Sequence, residues 1–246
     1  MDHFALGGVL VADSARGAVV AAHKKLCDKW GISYPLHSTD IRGRRYDFKW
    51  LRDQQKYVAF FQDLDEFLCE VPVIGLAAVV DRPGYNKRYQ QKYATSQWMI
   101  CKTAFSILVE RAAKYADKQG SNLKIRFEQC GLAEDRAIME YFKDLKNSGM
   151  PFDEGTSAKY GSLKAEDFRR ILKGAPKRRT KSSQITQLAD LYLYPMAKGG
   201  YDKDFKPYKM LLEKGKLMDS LLLSEEIPSS GIKYSCFDGK IGNMKI

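Results

Sequence analysis

"FALGGVLVADSARGAVVAAHKKLCDKWG", residues 4–31, decides the fold class. Phe4–Ala12 is a nearly continuous apolar run that closes in a polar turn, the pattern of a buried strand. The residues after it carry a plausible cap at Ser14 and a stop at Gly31, which predicts a helix. The same alternation continues. "VPVIGLAAVV" (71–80) reads as a strand with Pro72 at its start or on an edge. "NLKIRFEQC" (122–130) alternates in part and reads as another. Helices are predicted from Trp50 to Glu70, over 96–120 ending at Gly120, over 133–149, over 164–174, and over 184–197 with an interruption near Pro195. Residues 36–48 read as a loop or a short irregular element. A helix around Lys209–Glu213 and a final hairpin turning at Asp238-Gly239 complete the chain. Strands alternating with helices give an α/β fold, a mixed sheet flanked by helices. We expect one domain over 1–246, with helical insertions and a C-terminal extension from about residue 201.

The chain is 246 residues long, enough to bury a substantial core, and its formal charge is +11. So large a basic excess favours polyanionic partners, nucleic acid first. The bases are grouped. Arg42, Arg44, Arg45, Lys49 and Arg52 form one cluster. Arg82, Lys87, Arg88 and Lys92 form a second, interleaved with Tyr85, Tyr89 and Tyr93. Lys173, Lys177, Arg178, Arg179 and Lys181 form a third. Grouped bases suit phosphate neutralisation, although a lysine-rich surface can be no more than solvated. No window has the length and apolarity of a membrane span. The N-terminus lacks the layout of a secretory signal, and the five cysteines have no C-x-x-C pair, so a reduced cytoplasm is expected.

Asp190 stands among Leu188, Ala189, Leu191, Tyr192, Leu193 and Tyr194. A carboxylate in so apolar a stretch must be exposed, paired, protonated or metal-bound. Lys181 is a possible cation for it, and Gln184 and Gln187 share its face of the predicted helix. Glu128 ends a predicted strand, and Glu134 and Asp135 open the next helix. Carboxylates from strand ends and a helix are what two-metal phosphodiester cleavage requires. Each has a plainer role open to it: Glu134 and Asp135 complement a helix dipole, and Glu128 can pair with Arg126 or another base. The three histidines lie in no nucleophile motif, and no G-x-x-x-x-G-K-[ST] or G-x-G-x-x-G is present.

Four stretches resemble the bacterial and phage "domain of unknown function 3800" family: "FALGGVLV", "LHSTDIR" (36–42), "IRFEQCGLAEDRAIMEYF" (125–142) and "KSSQITQLADL" (181–191). Their order and spacing match over roughly residues 4 to 200. The resemblance implies an RNase H-like fold with acidic residues suited to two metal ions, Mg or Mn. It implies Glu128, Asp135 and Asp190 as catalytic, metal-binding carboxylates. Lys181 becomes a phosphate or carboxylate partner, and His37, Asp40 and Gln187 form a second tier. Family members begin with a strand ending in D-E-S-G, which supplies the first acid. Here only Met1, Asp2 and His3 precede Phe4. The first strand is therefore expected to be missing from this sequence, either because the chain starts downstream of it or because the protein is degenerate, with Asp2 as a partial substitute for the acid.

The expectation is a metal-dependent nuclease-like hydrolase acting on DNA or RNA. Arg42, Lys87, Arg88, Lys177, Arg178, Arg179 and Lys181 are the nucleic-acid contacts. The alternative is a catalytically degenerate nucleic-acid-binding or phage/defence accessory protein. A small-molecule enzyme is the third reading, and no cofactor motif supports it.

Overall fold

A computed structural model describes residues 3–85, 100–152, 155 and 158–235. Its centre is a strand pair, β1 (His3–Leu10) and β2 (Ile74–Asp81), antiparallel along their whole length with Gly7 opposite Ala77. β2 is buried at every position but its first. Each residue of β1 is half-buried; among the described residues β1 lies at the end of the strand order, with β2 on one edge. The third strand, β5 (Lys233–Ser235), runs parallel to β2 on its other side. A separate parallel pair joins β3 (Arg126–Glu128) to β4 (Lys177–Arg179), with Glu128 opposite Arg179.

Helices among the described residues include α1 (Arg16–Trp30), α2 (Ser38–Gly43), α3 (Gln54–Glu70), α4 (Ile100–Lys118), α5 (Leu132–Ser148), α6 (Ala165–Ile171), α7 (Gln184–Gly199), α8 (Lys206–Glu213) and α9 (Ile227–Ser230). The α/β class with a mixed sheet flanked by helices is thus present. α4 and α7 both pack on β1 and β2. One core, including Phe60, Leu64, Leu76, Val79, Leu188 and Tyr192, lies between the sheet and helices α1, α3 and α7. A second, around Phe105, Tyr141, Phe142 and Phe168, joins α4, α5 and α6. Leu6 of β1 and Ile125, next to β3, both pack against this second core.

Two glycines set the depth at which α7 lies on the sheet. A Cβ at Gly75 would stand 2.8 Å from the Tyr192 ring and 3.0 Å from Leu217 and Met196; one at Gly7 would stand 2.8 Å from Leu193. Only hydrogen at these positions lets the apolar face of α7 reach the strands, so the strand sequence places the helix that carries Asp190.

Several sequence expectations change. Ser14 is not a cap: a 3-10 turn spans Asp13–Ala15, and α1 begins at Arg16. Residues 38–52 are ordered as α2 and a 3-10 helix over Tyr46–Arg52. Pro195 does not interrupt α7, which runs through to Gly199. A proline costs a helix one hydrogen bond and a steric clash with the preceding turn. Burial of Tyr192, Pro195, Met196 and Gly199 in the interior holds the helix together despite that. Arg111, buried on α4, donates to the carbonyls of Pro228 and Gly231 and so ties the segment before β5 to the core; burial lowers its guanidinium pKa to about 10. Asp238-Gly239, Asp2, Lys87 and Arg88 lie outside the described residues. Among the described residues no helix is long and apolar enough to cross a membrane.

Candidate functional site

Segments 35–37, 128, 181 and 186–190 meet in one shallow depression lined by His37, Glu128, Lys181, Gln187 and Asp190, with Pro35, Leu36 and Thr186. Its floor is Gln187, which is buried. The Gln187 carboxamide oxygen accepts from the Leu36 N–H at 2.9 Å and from His23 Nε2 at 2.8 Å, while its amide nitrogen donates to the Lys181 carbonyl at 2.8 Å. One side chain therefore joins α1, the entry to α2 and the entry to α7. An oxygen that accepts from Leu36 needs a donor at His23, so His23 carries its proton on Nε2. Its Nδ1 then faces the Cys27 thiol at 3.7 Å. Burial holds the His23 pKa below the ordinary imidazole value.

Asp190 accepts the Ser38 N–H at 2.8 Å, capping the first turn of α2, and its Oδ2 stands 3.9 Å from Nε2 of His37. Nδ1 of His37 donates to Asp40 at 2.9 Å. A carboxylate accepts only, so this bond fixes the tautomer and turns Nε2 toward Asp190. The apolar neighbours of Asp190 serve the core side of α7, while its own side chain is about 29% exposed at the rim. Lys181 is not its partner, as the sequence had allowed. Lys181 stands 3.9 Å from Glu128 instead.

Asp135 falls elsewhere. Its side chain is buried; Oδ1 accepts the Cys130 N–H at 3.0 Å and Oδ2 pairs with Arg178 Nε at 3.1 Å. It is absent from the depression lining. Of the three acids expected to bind metal, Glu128 and Asp190 are brought together, while Asp135 is engaged in a loop-closing ion pair. Among the described residues no group of three His, Cys, Asp or Glu stands close enough to hold a metal ion. The three-carboxylate set is therefore not assembled in this arrangement. Glu128 and Asp190 remain as oxygen donors, with His37 beside Asp190.

Lys181 lines the depression, and further bases lie on the strand that carries Glu128 and on its partner. Parallel pairing puts Arg126 opposite Lys177 and Glu128 opposite Arg179, all on one face of the two-stranded sheet. Lys181 follows two residues after Arg179. Arg42 lies on the other flank: its Nε donates to the Ser38 carbonyl at 3.1 Å, and its guanidinium carbon sits 3.4 Å from the centre of the Tyr194 ring. Tyr194 had not been singled out in the sequence. Its signal was its position one helical turn after Asp190, on the same face.

An α/β fold whose depression, holding Glu128 and Asp190, lies beside a basic strip is the class that fold and site define. Over 238 residues, 96% of this chain and 85% of the relative, the sequence is 36% identical to the uncharacterized protein y4pM of Sinorhizobium fredii (strain NBRC 101917 / NGR234). The chain belongs to the same family as that protein. No family model and no solved structure matches it.

Proposed function

We propose that this protein binds nucleic acid along the Arg126–Lys177–Arg179–Lys181 strip and cleaves a phosphodiester, with Mg²⁺ or Mn²⁺, at the depression holding Glu128, Asp190 and His37. One observation carries the reading: segments far apart in sequence bring the carboxylates Glu128 and Asp190 to one depression beside a basic strip. Phosphate approaches such a strip through its charge, and a carboxylate pair next to it supplies oxygen donors for a hard cation. A bound divalent ion would polarise a phosphate oxygen and activate a water. The chain's own contribution is to hold the donors: Asp190 through Ser38, and Glu128 at the end of β3.

The family resemblance belongs to this proposal. An RNase H-like sheet has a further strand on the edge of β1 that is unpaired among the described residues, and that edge favours the reading. A cytoplasmic setting is part of it too, in keeping with Cys27, Cys69, Cys101 and Cys130 being free among the described residues. The second reading is a nucleic-acid-binding or phage/defence accessory protein without cleavage. The engagement of Asp135 by Arg178 favours it, since one acid of the expected set is spent.

The test is cleavage of end-labelled DNA and RNA with Mg²⁺ or Mn²⁺, comparing the parent with Glu128→Gln and Asp190→Asn. The proposal expects metal-dependent products that both substitutions abolish. Salt-sensitive binding without products would establish the second reading.

A further inference from the structure

Arg42 is fixed on three sides. Its Nε donates to both the carbonyl and the hydroxyl of Ser38, at 3.1 and 3.3 Å. Its guanidinium lies against the Tyr194 ring, 3.4 Å from the ring centre. Ser38 is the residue whose N–H is held by Asp190. Arg42 and Asp190 therefore grip the same residue, one by its carbonyl and one by its amide, and Tyr194 stands one helical turn after Asp190 on α7. The side chain of Arg42 is exposed, and Tyr194 behind it is half-buried. The aromatic surface continues past it: Phe205 meets the Tyr194 ring edge-on at 5.7 Å, and Lys198 Nζ lies 4.2 Å from the Phe205 ring centre.

We propose that the Arg42–Tyr194 pair is a stacking platform for one unpaired nucleobase, which makes single-stranded nucleic acid the partner of this protein. The inference rests on the nucleic-acid reading above and adds strandedness to it. An arginine that only neutralises phosphate has no need of a backing ring and a pinned Nε. A guanidinium seated over a tyrosine ring presents a cationic surface on which an unstacked base can lie. A base within a duplex has both faces covered by its neighbours and cannot use it. Lys198 and the edge of Phe205 extend the same alternation of cation and ring, so a strand leaving the platform meets further charge and aromatic surface.

The experiment is binding of labelled single-stranded oligonucleotides in chelator, so that no cleavage occurs, with one abasic residue moved along the strand. In the parent, an abasic residue at one position weakens binding about tenfold, the usual value of one stacked base. Arg42→Lys keeps the charge and loses the plane. It removes that positional penalty and leaves the salt dependence as it was. Tyr194→Phe keeps the ring and retains the penalty, which shows that the substitution site itself is tolerated. An intact penalty in Arg42→Lys, or salt-sensitive binding with no sensitive position in the parent, overturns the platform while the basic-strip reading stands. Absence of salt-sensitive binding in the parent overturns both.

Discussion

The Asp190 carboxylate accepts the backbone N–H of Ser38 at 2.8 Å, a bond between residues 152 positions apart. It joins the apolar helix α7 to the short helix α2 and turns His37 into the depression. Asp190→Asn keeps an acceptor oxygen, so its unfolding free energy should lie within about 1 kcal/mol of the parent. Asp190→Ala strands the Ser38 N–H and should lose about 1–2 kcal/mol. Urea unfolding of the pair checks this. Equal losses in both variants would mean that the charge, not the hydrogen bond, holds α2.

Burial depresses the His23 pKa, so the native protein keeps this imidazole neutral where the unfolded chain has begun to bind a proton. Above about pH 6.5, the unfolded imidazole's value, both states are neutral and the contribution is fully present. As pH falls from there toward the lower native pKa, the unfolded state takes up the proton first and stability declines. Denaturation midpoints measured from about pH 8 down to pH 5 should show that decline in the parent, and His23→Gln should lack this component. A decline of the same size in the variant would assign it to other groups.

Arg178 is half-exposed, but its partner Asp135 is buried. Arg178→Ala leaves Asp135 with the Cys130 N–H alone and should cost about 1–3 kcal/mol. Its effect on oligonucleotide binding should be smaller than that of Arg179→Ala, because the guanidinium is already engaged. Unfolding and binding measured on both variants test the division. A larger binding loss in Arg178→Ala would place this residue among the phosphate contacts.

Gly75→Ala would press a methyl group against Tyr192, Leu217 and Met196, all buried. Overpacking of this kind costs about 1–3 kcal/mol, and the shift of α7 should also weaken binding at the depression. Thermal unfolding of the variant checks the first effect. An unchanged midpoint would show that α7 has room to move.

Much of this was legible in the chain. β1 and β2 declare themselves as apolar runs, α5 as a helix with clear ends, and α4 by its stop near Gly120. β4 did not, since Lys177, Arg178 and Arg179 have no apolar alternation; their strand exists through pairing with β3 and can be seen only in three dimensions. α7 looked broken at Pro195, because local propensity outweighed a tertiary packing that the sequence does not display. Glu128, Asp190 and His37 could be singled out, and they converge. The direction of Asp135 could not be read, because it depends on Arg178, more than forty positions away across the β3–β4 pair. Gln187 looked like a secondary polar residue on a helix face; its role as the buried link between His23, Leu36 and Lys181 follows from contacts that spacing does not encode.

The central claim is that nucleic acid lies along the basic strip at the Glu128–Asp190 depression. The most direct measurement is the affinity of the parent for a labelled oligonucleotide between about 50 and 200 mM salt, beside a variant with Lys177, Arg179 and Lys181 replaced by alanine. The account predicts that log K falls linearly with log salt in the parent, and that the triple variant has a slope shallower by about 2–3, one phosphate contact for each base removed. A parent slope near zero, or a triple variant with the parent's slope, would contradict it.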